Sequence, residues 1–226
     1  MKSEDFVEML KELEMPVAPL EAISNIIQKP IGYTRLYVNR LRKKGIIDRV
    51  EGGLYCLHDT DEYTIASRII PNSYITGYTA LYHYGLTTQI PTLLQIIAPR
   101  YHRPLKLRNY TVKFSRVKKE FIYGYILTLN GPAFAEPEKI FVDDLYLHRR
   151  QYYSEEFEDA VRRKKIDVKK LKEYAIRSND KAVVAMAGYY MEKFDIDASD
   201  LLPFKSKSYI KLNKRGLLNK RWRIFT

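Results

Sequence analysis

The chain has 226 residues, 46% of them hydrophobic, and a formal net charge of +12. This excludes a mainly disordered protein and leaves room for one large or two modest cores, while no apolar run reaches the ~20 residues of a membrane span. A lone cysteine, Cys56, and an acidic, amphipathic start, "MKSEDFVEML", exclude a disulfide framework and a secretory signal and point to a cytoplasmic protein whose basic charge suits a polyanion.

Ser3, Glu4 and Asp5 open a helical pattern with Phe6, Met9, Leu10 and Leu13 on one face. Pro16 and Pro19 end it and start a second helix, "LEAISNIIQ", which stops near Lys29 because Pro30 disfavours helical geometry in the residue before it. A third helix is predicted from Gly32 to Lys44, with Gly45 as its C-terminal stop. "IIDRV" and "LYCL" then read as strands joined across Glu51-Gly52-Gly53. Three helices followed by a two-stranded hairpin make a winged helix-turn-helix over residues 1–60.

The charges follow this outline. Residues 1–21 hold two cations against six acids, whereas residues 29–49 hold seven cations against Asp48 alone. On a helical wheel Thr34, Tyr37, Val38 and Leu41 fall on the packing side. Gly32, Leu36, Asn39, Arg40 and Lys43 fall opposite, with Arg35 and Arg42 on one flank. A solvated helix face rarely needs Leu36 beside Asn39 and Lys43, but a face in a DNA major groove can use all of them. Asn reads adenine, Arg reads guanine, and an apolar side chain meets the thymine methyl. The DNA-facing candidates are therefore Thr34 (although on the packing side), Arg35, Leu36, Asn39, Arg40, Lys43, Lys44 and, on the wing, Arg49. A wing carrying two glycines is short enough to approach a phosphate backbone or the minor groove. A protein-binding winged helix is the competing reading.

Past His58 the character changes. "DTDEYTIASRII" reads as a linking helix, and Thr76 as the cap of a helix containing Leu81 and Tyr82. β-rich runs follow at 92–98, 110–115 and 121–129, then a helix over "PEKIFVDDLYLH" with Pro137 near its start. Further helices are expected around 154–163, 167–176 and 179–193. Residues 61–226 thus form a second, mixed α+β domain with a small sheet and C-terminal helices, and the chain as a whole is α+β. The block 100–119 holds eight cations and no acid, as does 202–226. Its Arg103, Lys106 and Arg108 could face an acidic partner or a nucleic acid, or merely protect a sheet edge from aggregation. In "NKRWRIF" the alternation places Trp222 and Ile224 on one face of a closing strand, in preference to a free nucleic-acid arm.

The stretches "YITGYTALYHYGLTTQIP", "AFAEPEKIFVDDLYL", "KKLKEYAIRSNDKAVVAMAGYYMEKF" and "GLLNKRWRIFT", taken in that order, resemble the AbiEi-type antitoxins of type IV toxin–antitoxin systems. The resemblance implies a transcriptional autorepressor whose winged helix binds operator repeats in double-stranded DNA, with two copies assembling on inverted repeats. It also implies a C-terminal domain that counters a cognate nucleotidyltransferase-like toxin, functionally rather than by necessary contact.

Catalysis is not expected. His58, His83, His102 and His148 are scattered without metal-ligand spacing, and neither a phosphate-binding glycine loop nor a nucleophile elbow is present. Glu136, Glu138, Asp143 and Asp144 form the one compact carboxylate group and carry the enzymatic alternative, a nuclease-like metal site. Asp143 and Asp144 are adjacent on a helix and diverge by about 100°, so helix solvation is the preferred account, with Glu138 serving the helix dipole. No cofactor and no metal are expected, and no membrane partner.

Overall fold

The computed structural model describes residues 2–148, 154–212 and 216–225, and the fold is mixed α+β. No helix among the described residues is long and apolar enough to cross a membrane.

Helix α1 (Ser3–Glu12) buries Phe6 and Leu10, and its first turn is closed by the Lys2 amide donating to the Asp5 carboxylate at 3.2 Å. Strand β1 (Val17–Pro19) follows, where the sequence predicts only the end of one helix and the start of the next. It pairs antiparallel with β3 (Leu54–Leu57), which pairs with β2 (Ile47–Glu51), so the expected hairpin has a third strand. A proline is tolerated here because β1 is at the edge, where its missing N–H breaks no ladder. Between them lie α2 (Leu20–Ile27), which ends on Gln28 at φ 52°, and α3 (Ile31–Lys43). Helix α3 stops as expected. Gly45, at φ +69°, donates to the Arg42 carbonyl, and Ile46 to the Leu41 carbonyl, each at 3.0 Å.

After α4 (Glu62–Arg68), capped by Asp61 accepting from the Thr64 amide at 2.9 Å, come β4 (Tyr74–Thr76) and α5 (Gly77–His83). Then follow β5 (Leu93–Ala98), β6 (Leu105–Leu107), β7 (Tyr110–Arg116), β8 (Tyr125–Leu127) and β9 (Ala133–Ala135). Among the described residues they form a six-stranded sheet in the order β6-β7-β5-β4-β9-β8. The run 121–129 is less regular than expected: a 3₁₀ turn occupies Lys119–Phe121, Gly124 at φ +66° precedes the strand, and a turn in which Gly131 donates to the Thr128 carbonyl follows it. Helices α6 (Pro137–Leu147), α7 (Ser154–Arg162), α8 (Val168–Arg177) and α9 (Lys181–Lys193) fall where the periodicity puts them. Short strands β10 (Ile210–Lys211), β11 (Leu218–Asn219) and β12 (Ile224–Phe225) close the chain. Trp222 and Ile224 are both buried in the main core, so this tail is packed and is not a free arm.

Buried side chains form two clusters. The smaller joins Phe6, Leu10, Leu20, Ile23, Val38, Leu41, Ile47 and Leu57. The larger runs from Ile65 to Ile224 but also takes in Val17 and Cys56. The sheet β1-β3-β2 therefore serves both: Ala18, Ile47 and Leu57 face one cluster, and Val17 and Cys56, paired in register, face the other.

Helices α6 and α8 are tied by Glu136, which accepts from Lys170 Nζ at 2.6 Å and from the Tyr174 hydroxyl. Burial alone would raise the Glu136 pKa, but these hydrogen bonds and the Lys170 charge outweigh it and hold the carboxyl below its ordinary value. A depressed folded-state pKa stabilises above the ordinary carboxylate range, and that contribution disappears as pH falls through the folded value. Glu136→Gln is therefore expected to lower the melting temperature at neutral pH, with the gap to wild type closing in acid. A gap independent of pH would refute this account.

Candidate nucleic-acid interface

Helix α3 presents its polar side outward. Pro30 holds the N-cap position with an extended ψ of 152°, so Ile31 begins the first turn. Thr34, Val38 and Leu41 are buried beneath the helix, and Tyr37 is half-buried with its ring edge-on to Phe6. Thr34 is thereby removed from the DNA-facing set. Its side chain is fully buried and its hydroxyl donates to the Pro30 carbonyl at 3.1 Å, closing the first turn.

The other candidates stay outside. Arg35, Asn39, Arg40, Lys43 and Lys44 are exposed, and Leu36 stands 60% exposed among them. At Gly32 the helix backbone is bare, and a side chain there would meet nothing within 4 Å. No carboxylate among the described residues lies within ion-pair distance of these cations. Helix electrostatics account for only part of this charge. Arg40, Arg42 and Lys43 in the last turn suit the negative end of the dipole, but Arg35 lies near the positive end, and the first turn has no acid. Tyr33, 47% exposed on the same helix, was not singled out in the sequence, because an aromatic beside the packing side reads as core.

The hairpin β2–β3 differs from the expected free wing. Arg49 is exposed, its Nε near the Glu51 carbonyl at 3.4 Å. The tip is docked. Glu51 Oε1 lies 2.7 Å from His102 Nε2, with the two side chains only 15% and 17% exposed. Val50 and Leu54 pack on the larger cluster, and the Gly53 carbonyl accepts from the Leu20 amide at 2.8 Å. The tip thus meets the β5–β6 loop, while Gly52 stays exposed.

Within the basic block Arg103 and Lys106 are exposed, and so is Arg108, which has partners as well. It sits at the β6–β7 turn with φ 47°, pairs with Glu62 at 3.1 Å and donates to the His58 carbonyl at 3.4 Å. Its side chain is still 47% exposed, so it stays on the candidate surface with Glu62 as a partner.

The carboxylate group is arranged differently from the solvated helix expected. Glu138, Asp143 and Asp144 are buried. Asp143 pairs with the fully buried Lys139 and accepts from the Thr76 hydroxyl at 2.9 Å, so Thr76 stands at the start of α5 without capping it. Asp144 lies 3.0 Å from His148 Nδ1, and Glu138 accepts from the Asp167 amide at 2.8 Å, anchoring the start of α8. Each acid has its own partner, and no group of three or more potential metal ligands occurs among the described residues. His83 stacks on Phe134 at 4.0 Å, and burial lowers its pKa; burial also pushes the Cys56 thiol up to about 11, leaving it unreactive at neutral pH. No known protein-family model and no curated protein matches this chain.

Proposed function

We propose that the chain is a DNA-binding transcriptional regulator in which α1–α3 and the β1-β3-β2 sheet act as a winged helix-turn-helix and α3 reads the major groove. The observation that carries this is the outer face of α3, where cations with no ion-pair partner among the described residues surround an exposed Leu36, Asn39 and a bare Gly32. Lysines and arginines fix the register on phosphates, and Asn39 and Arg40 read base edges. Asn39→Ala and Arg40→Ala should each reduce preference among duplex sequences by about 1–3 kcal/mol. Lys44→Ala, at the helix end, should weaken all sequences alike. Equal loss of specific and random binding in all three variants would take the reading role from α3.

The resemblance to AbiEi-type antitoxins, which with the N-terminal helices covers nearly the whole chain, extends this reading to an autorepressor that counters a nucleotidyltransferase-like toxin. In that case the double variant Asn39→Ala/Arg40→Ala loses repression of its own promoter while still relieving growth arrest by a co-expressed cognate toxin. The nuclease alternative finds less support, since its carboxylates are held by Lys139, Lys170, His148 and the Asp167 amide.

A further inference from the structure

The tip of the β2–β3 hairpin ends in an acid and two glycines, an unpromising set for a phosphate. The loop it docks on is the reverse. His102 holds Glu51 through Nε2, while its Nδ1 lies 2.7 Å from the carbonyl of Arg103, so the loop backbone is pinned beside the hairpin tip. Around this anchor Arg100, Arg103 and Lys106 are exposed, with no carboxylate partner among the described residues, and Tyr101 stands 74% exposed between them. We propose that the β5–β6 loop, residues 99–104, together with Lys106 on β6, forms part of the duplex-binding surface and supplies the phosphate contacts that the hairpin tip lacks. This rests on the DNA reading of α3 above.

Position and charge both favour this over edge protection. Strand β6 is a sheet edge and Lys106 lies on it, but Arg100 and Arg103 lie in the loop, where no ladder needs guarding. Arg108, a few residues on, shows the alternative fate of a cation in this block: it is neutralised by Glu62. Among the described residues, the loop cations have no ion-pair partner. Arginine, lysine and tyrosine are all phosphate ligands.

The test uses the full chain and a short random-sequence duplex, with binding measured across a salt series. Each phosphate contact contributes about 0.9 to the slope of log K against log salt. Arg100→Ala/Arg103→Ala/Lys106→Ala should therefore flatten the slope by about two to three units, with circular dichroism unchanged and the ranking among sequences retained. Lys165→Ala/Lys169→Ala/Lys181→Ala removes the same charge from exposed positions elsewhere and should leave the slope alone. A steep wild-type slope that the loop variant does not change overturns this proposal and leaves the α3 reading standing. So does an unchanged slope with loss of protection against a toxin, which assigns the loop to a protein partner. Failure of the wild-type chain to bind the duplex overturns both.

Discussion

Asp143→Ala is expected to destabilise the fold by about 3–5 kcal/mol, measured by urea unfolding. Lys139 and Asp143 are both wholly enclosed. The Lys139 ammonium donates to the Tyr74 hydroxyl at 2.9 Å and lies over the rings of Phe121 and Tyr123, 3.8 and 4.6 Å from their centres. Burial pulls the Lys139 pKa down and pushes the Asp143 pKa up, a sign of how much the site costs each charge. The pair is tolerable because each charge answers the other. With Asp143 gone, the ammonium keeps its aromatic contacts but loses its counter-charge. The double variant Lys139→Met/Asp143→Leu removes both charges and should recover most of the loss. A residue of about 1–2 kcal/mol is expected to remain, since the Thr76 and Tyr74 hydroxyls lose their acceptor. A double variant no more stable than the single would show that lost packing, and not the uncompensated charge, sets the cost.

Trp222→Ala is the second large expected loss, about 3–5 kcal/mol. Its indole is fully buried, with Nε1 donating to Glu192 at 2.7 Å, and it lies directly on Gly188 of α9. A Cβ at Gly188 would sit 2.1 Å from the indole ring, so Gly188→Ala forces either the helix or the tail to move. The two substitutions should compensate. Once Trp222 is alanine, the methyl added at position 188 enters space already vacated, and the double variant should lose less than the sum of the singles. Strict additivity in urea unfolding would mean that the tail does not seat on Gly188.

What the sequence made legible depended on the range of the interaction. The outer face of α3 was readable because helical periodicity and charge are local, and Gly45 marks its end through a backbone conformation that glycine adopts freely. Strand β1 was not, because three residues that follow Pro16 and end on Pro19 carry no period, and only pairing with Leu54–Cys56 makes them a strand. Lys139 and Asp143 stand four apart, a spacing common to solvated and buried pairs alike. Their burial is decided by Phe121, Tyr123 and Tyr74, which lie on other segments of the chain. The docking of Glu51 on His102 joins positions 51 residues apart, and neither residue advertises it.

The sheet β1-β3-β2 has a consequence for how such a chain can diversify. Because Val17 and Cys56 are owed to one core while their neighbours Ala18 and Leu57 are owed to the other, it is a party wall rather than a boundary. An N-terminal unit borrowed from an unrelated protein would arrive with the wrong far side to that wall. Change on the exposed face of α3, at Asn39, Arg40 and Lys43, leaves both cores untouched, whereas exchange of the whole N-terminal unit does not.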